Sequence, residues 1–348
     1  MPYIPEKKEK AEEREPVQRR SILKERRLPL MALISCAALI FGTVNLIQYY
    51  GDLNSSRNTS RELQEIMEAE DPAEAAAAPT EEVPAEAAAA PEEEAPAKAA
   101  ADQPSPVPAE ASLHTPIPGA GKNADILQPV PYPDNRELRV SDRFRKLRSK
   151  GEYIVGWLTM DHLSEAVVLK DNTYFLNHDA TGNRNSNGAI FLDEATGIIT
   201  RPYTLILYGH NMKSGNMFGR LKRYKENAYY FNNRIISFDS MFEDGKYAVF
   251  AVMEFSTVPG TSAWYDLYSL RSERIDDRTQ AIRRLEAKSI HGRVLDVQAD
   301  DQLLLLVTCV DGEDERLLVA ARRLRPGEKE DGLIYRQTGR DGELPYGS

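Results

Sequence analysis

The sequence predicts a mostly β domain, a barrel or sandwich with peripheral helices, behind an N-terminal membrane-spanning helix and a long disordered linker. Three observations carry that expectation. A charge-free apolar stretch lies near the N-terminus, an Ala/Glu/Pro-rich tract follows it, and from Tyr153 onward short apolar runs recur between Gly, Asn and Asp clusters.

The apolar stretch runs from Leu28 to Ile47. About 20 residues at 1.5 Å each reach roughly 30 Å, the thickness of a bilayer core. Arg19, Arg20, Lys24, Arg26 and Arg27 precede it, whereas Asp52 and Arg57 are the near charges on the far side. By the positive-inside rule, residues 1–27 form a basic cytoplasmic segment, 28–47 the transmembrane anchor, and the rest of the chain lies outside. A cleaved signal peptide is the competing reading. Gln48-Tyr49-Tyr50-Gly51 lacks the small-residue pattern that cleavage requires.

Residues 48–134 read as an extracellular linker. Ser60 is a candidate N-cap for a short helix to Glu70. Beyond it, Ala75–Pro79 and Ala87–Pro91 are near-repeats separated by Glu and Pro. Recurrent prolines interrupt helix, and little apolar surface is available for burial, so the composition implies an extended, self-repelling spacer. The formal charge of -10 owes much to acidic runs such as Glu92-Glu93-Glu94 and says little about the folded part. No basic, aromatic-interleaved patch suggests nucleic acid.

Residues 135–348 form the expected folded domain. Strands are predicted over Tyr153–Leu158, Ala166–Leu169, Ala189–Leu192, Tyr203–Tyr208, Ile235–Phe238, Tyr247–Phe255, Leu303–Thr308 and Leu317–Ala321. Helical spacing marks Asp142–Lys150, Asn216–Tyr224 and Arg274–Ile290. No βαβ rhythm is present.

Cys36 and Cys309 are the two cysteines, and Cys36 lies in the anchor, so the domain holds a single thiol and no disulfide framework. Cys309 closes the apolar run Leu303–Thr308, and Arg316 opens the next one, Leu317–Ala321. A hairpin would bring the two together. A cation there attracts the sulfur anion and holds oxyanion charge. A buried, inert thiol fits the same window. His210 ends another apolar strand, Leu205–Tyr208, through Gly209. A strand-end imidazole suits proton transfer near neutral pH, although a surface His reads the same way. None of the five histidines has the close spacing of a zinc-binding helix, so no metal site is expected.

Around these residues the sequence resembles a class B sortase. The likeness rests on Tyr208-Gly209-His210-Asn211-Met212 followed by Met217-Phe218-Gly219-Arg220-Leu221, and on Leu305-Leu306-Val307-Thr308-Cys309 with Arg316 opening the next strand. Tyr174–Asp179 and Gly188–Asp193 add to it. Leu305 stands where the family has a Thr, and Val307 at the variable position departs from a small hydroxyl residue. The resemblance implies a sortase-type closed β-barrel and a cysteine transpeptidase that needs no cofactor. It makes Cys309 the nucleophile, His210 the general acid/base and Arg316 the oxyanion partner. Val307 and Thr308 would adjoin substrate, and Asp311 is either an auxiliary group or a turn former. The partners implied are secreted proteins bearing a C-terminal sorting motif, and an amine from a peptidoglycan cross-bridge or a pilin Lys. A different cell-wall cysteine transpeptidase lacks support, since its Ser-x-Gly-Cys-x-Arg pattern is absent. A membrane-tethered, non-catalytic wall or pilus scaffold is the remaining alternative.

Overall fold

The computed structural model describes residues 17–69, 125–310, 314–330 and 333. Helix α1 spans Val17–Glu68, and α2 spans Asp142–Lys150. Eight strands follow: β1 (Ile154–Met160), β2 (Leu163–Val168), β3 (Ile190–Leu192), β4 (Thr204–Tyr208), β5 (Ile235–Ser240), β6 (Lys246–Ser256), β7 (Leu303–Cys309) and β8 (Glu315–Arg323). Helix α3 (Asn227–Asn232) precedes β5, and α4 (Ile275–Lys288) lies between β6 and β7. The strands close a barrel in the order β1-β2-β3-β4-β7-β8-β6-β5. Only the β2/β3 and β4/β7 pairs are parallel.

Strand alternation sorts the core into two layers. Leu205, Leu207, Leu304, Leu306, Leu317 and Val319 join residues of β1, β2, β3 and β5 inside the barrel. Ile206, Leu303, Leu305, Leu318 and Ala320 face the other way, against Ala281, Ile282 and Leu285 of α4. The long crossover between β6 and β7 thus roofs the outer face of β4, β7, β8 and β6.

The predicted helix at Asn216–Tyr224 does not form. Met217 has a φ of 48°, incompatible with a right-handed helix. A Cβ on Gly219 would lie 2.0 Å from the Met212 carbonyl oxygen, so the loop is folded tightly on itself. Met217, Phe218, Leu221 and Tyr224 are buried as the periodicity implied, but from a loop and the short 3-10 turn Leu221–Lys225.

Helix α1 contains the apolar span and continues beyond it. From Leu33 to Ile47 its large apolar side chains are more than half exposed, as suits lipid contact, and a window of this region has a mean hydropathy of 1.5. Within two turns that changes: Leu53 and Leu63 are 7% and 2% exposed against the barrel. Each such burial stabilises by about 1.5–3 kcal/mol. Lys150 on α2 pairs with Glu62 at 2.6 Å. Ser60, expected as an N-cap, lies inside the helix and donates to Glu165 Oε2 at 2.7 Å. The linker expected over 48–134 is therefore shorter at both ends. At its far end Leu127 and Tyr132 are buried, and Ile126 bridges to Arg274. The Ala/Glu/Pro repeats lie in 70–124, outside the described residues, yet both flanks of that segment pack on the barrel. Helix α1 itself makes the direct connection from the apolar span to the domain.

The Ser60 contact has a pH signature. Burial pushes the Glu165 carboxyl up to about 7 from an ordinary 4.5, the Ser60 hydroxyl only partly offsetting it. A carboxyl with a raised folded value contributes fully below pH 4.5, and that contribution is lost as pH rises through about 7. The difference amounts to roughly 3 kcal/mol. Glu165→Gln is therefore expected to melt close to wild type at pH 4.5 and above it at pH 8, measured as Tm of the full chain in detergent. A gap that does not widen with pH would count against this account.

Candidate active site

Three neighbouring strands build the site. In the parallel β4/β7 pair Tyr208 aligns with Val307, and the register persists past the end of β4. There the Gly209 N–H donates to the Val307 carbonyl at 3.3 Å, and the Thr308 hydroxyl donates to the Gly209 carbonyl at 2.8 Å. His210 and Cys309 are the next residues along the two segments. In the antiparallel β7/β8 pair Cys309 aligns directly with Arg316. Adjacent strands lie about 4.8 Å apart, so His210, Cys309 and Arg316 form a row across one end of the barrel.

Alternation gives the three the same face. Cys309 follows Leu303, Leu305 and Val307 on the outer side of β7. Arg316 precedes Leu318 and Ala320 on the outer side of β8, and His210 continues the Ile206, Tyr208 series. The row lies beyond the α4 roof, and Cys309 is exposed while Arg316 and His210 are half-buried.

His210 Nε2 lies 2.8 Å from the Leu176 carbonyl oxygen. A carbonyl only accepts, so Nε2 carries the hydrogen and Nδ1 keeps a lone pair for proton exchange. Arg316 Nη1 donates to the Glu315 carbonyl at 3.0 Å, which orients the guanidinium at the strand's start.

The structure moves two expected substrate contacts indoors. Val307 and Thr308 are 2% and 3% exposed. Val307 packs in the outer core layer, and Thr308 serves as the tie between β7 and the His210 strand. Leu305, the other departure from the family pattern, is fully buried in the same layer, where an apolar side chain is the better filler. Asp311 lies outside the described residues.

Sequence reasoning missed the crossover's part. Trp264 is 41% exposed and bridges to Ser256, at the end of β6 beside the first residues of β8. Tyr268 is 51% exposed, and its hydroxyl lies 3.1 Å from that of Tyr208. Both hydroxyls donate to buried Asp193 at 3.3 Å, and Arg271 pairs with that carboxylate at 3.0 Å. This cluster pins the crossover beside the site. Nothing periodic in residues 257–272 announces it.

A thiol, an imidazole and a guanidinium at neighbouring strand ends are the groups that cysteine-dependent acyl transfer uses. Comparison with known proteins gives the family. A sortase domain model matches residues 161–324. The chain is 29% identical to Sortase B of Listeria monocytogenes over 185 residues, 52% of this chain and 71% of that protein. It is 28% identical to Sortase B of Staphylococcus aureus over 193 residues, 53% of this chain and 76% of that one. Among solved structures, sortase B from B. anthracis in complex with AAEK1 is 29% identical and has a TM-score of 0.47, covering 53% of this chain and 86% of that one. Sortase B of Staphylococcus aureus is 26% identical with a TM-score of 0.48, covering 54% and 90%. The sortase domain model and these Sortase B relatives together support a class B sortase. The family implies a cysteine transpeptidase, and the apolar N-terminal helix fits a membrane-anchored enzyme.

Proposed function

We propose that Cys309 is the nucleophile, His210 the general acid/base and Arg316 the oxyanion donor of a sortase that cleaves a sorting motif after its Thr. What supports this reading is the register: Cys309 pairs with Arg316, and His210 lies two residues beyond Tyr208, whose partner Val307 lies two residues before Cys309. The Cys309 sulfur attacks the Thr carbonyl carbon, and the carbonyl electrons move to oxygen, where the Arg316 guanidinium meets the charge. His210, protonated at Nδ1, gives its proton to the departing amine as the C–N bond breaks. A thioester remains. An incoming amine attacks it, His210 Nδ1 takes the amine's proton, and the thiolate leaves, restoring the enzyme.

The substrate is a secreted protein with a C-terminal motif of the Asn-Pro-x-Thr type. The acceptor is an amine from a peptidoglycan cross-bridge or a pilin Lys. Exposed Trp264 and Tyr268 supply apolar surface along the approach to Cys309. The charge asymmetry around the apolar span supports a cytoplasmic N-terminus and an extracellular barrel.

A panel of sorting-motif peptides incubated with the full chain in detergent and an amine such as triglycine tests this. Mass spectrometry is expected to show cleavage after Thr and an amide joining the Thr to the amine. Products cut elsewhere, or none from any peptide, would contradict it.

A further inference from the structure

We propose that the part of α1 just beyond the apolar span, Asp52–Leu63, is a positioning element for His210 that acts through the two loops flanking the imidazole. The proposal rests on the reading of His210 as acid/base.

The first loop, 174–188, supplies the Leu176 carbonyl that fixes the ring. Its far end lies directly against the imidazole: a Cβ on Gly188, whose φ is 63°, would come within 2.5 Å of the Phe175 oxygen and 3.1 Å of His210 Cδ2. This end is fastened to α1. The Asp52 carboxylate accepts from the Ser186 N–H at 3.1 Å and from the Ser186 hydroxyl at 2.5 Å. The Asp52 carbonyl accepts from Asn185 Nδ2 at 3.0 Å, and Ser56 Oγ accepts from Asn187 Nδ2 at 2.9 Å. Asn185 and Asn187 are 1% and 0% exposed. Removing the Ser56 hydroxyl would leave the buried Asn187 amide unpartnered, and removing the Asp52 carboxylate would release Ser186 beside it, so the loop would shift to find water.

The second loop follows His210 and closes on it: the Met212 and Phe218 N–H groups both donate to the His210 carbonyl, at 3.1 and 3.0 Å. Between them Met217, held at positive φ, shares a small cavity with Ser56, Ser60 and Leu63 of α1 and with Gly188. One helix therefore backs both loops. The same helix carries the apolar span, so seating of the anchor and alignment of the imidazole are mechanically joined.

Variants of the full chain in detergent micelles test the inference. Asp52→Ala/Ser56→Ala and, from the loop side, Ser186→Ala break the fastening; Asp52→Asn and Ser56→Thr keep an acceptor. Glu62→Ala weakens helix docking away from the loops. Two readouts are used: kcat and KM with a sorting-motif peptide, and 15N spectra of the histidine rings assigned through His210→Gln. The double variant is expected to lower kcat about tenfold at near-constant KM, since small misplacements of a catalytic group are costly. Its His210 ring should lose the single Nε2–H tautomer signature. Ser186→Ala should show a smaller change in the same direction, the conservative variants should recover, and Glu62→Ala should match wild type. Unchanged kcat and ring spectra in both the double variant and Ser186→Ala would overturn the proposal, as would an equal loss in Glu62→Ala. Ser186 is an exposed loop residue, so its variant decides the matter even if the helix variants fold poorly. If wild type cleaves no peptide, the transpeptidase reading fails, while the ring spectra still decide the positioning role.

Discussion

Cys309→Ala is expected to abolish both peptide cleavage and amine transfer, because no other described side chain in the row can form the thioester. Arg316→Ala should lower kcat by about 10²–10³ with KM little changed, the usual cost of losing one donor to a developing oxyanion. Arg316→Lys should recover part of that, since a point charge lacks the guanidinium's fixed fork. His210→Ala should cost about 10²–10⁴ in kcat. The three losses should not add, because the groups act on the same step. Steady-state kinetics on the single and paired variants, with circular dichroism to verify folding, check these outcomes. Retained amine transfer by Cys309→Ala, or simple additivity of the His210 and Arg316 losses, would contradict a shared site.

The largest expected effect on stability falls at Arg278, on α4. It is fully buried, yet its guanidinium has no carboxylate partner among the described residues. It donates instead to carbonyls of Ala299, Tyr203 and Asp301 at 2.7, 2.9 and 3.0 Å, to the Thr204 hydroxyl at 2.6 Å, and to the Leu270 carbonyl. Burial pulls its value down to about 10, with Tyr203 and Asp301 opposing. It remains charged at neutral pH. Five acceptors, three from the crossover and two from the start of β4, converge on this one side chain, so it fixes the roof over β4 and β7. Arg278→Ala should destabilise the chain by about 3–5 kcal/mol, the scale for stranding buried partners of a charged group. Chemical denaturation of the full chain in detergent measures it. A loss under about 1 kcal/mol would mean that water replaces the guanidinium, and that the roof is held by α4's apolar face.

Much of the barrel was legible because its strands are buried on both faces and read as near-continuous apolar runs, Leu303–Thr308 above all. The helix Ile275–Lys288 was legible from Ile282 and Leu285 on one face. Misreading 216–224 has a plain cause: Met217, Phe218, Leu221 and Tyr224 sit at helical spacing, and only the backbone shows that Met217 is left-handed. The proposed catalytic residues were legible as three strand ends. Their geometry was not, because pairing between strands as distant as β4 and β7 leaves no periodic trace. The Leu176 carbonyl, which sets the His210 tautomer, has no side-chain signature at all. Arg278 was hidden as a charge on a helix otherwise rich in solvated charges. Docking of α1 was hidden for a related reason: Leu53, Ser56, Ser60 and Leu63 form a helical stripe, but half of it is hydroxyls.

The central claim is that Cys309 carries the acyl group. Its most direct test is to mix the full chain with a sorting-motif peptide in the absence of amine, quench in acid, and map the adduct by mass spectrometry. The account requires the peptide up to its Thr on the Cys309 sulfur, released by hydroxylamine and absent in Cys309→Ala. A cleaved peptide with Cys309 unmodified under these conditions, or an adduct on any other residue, would contradict it.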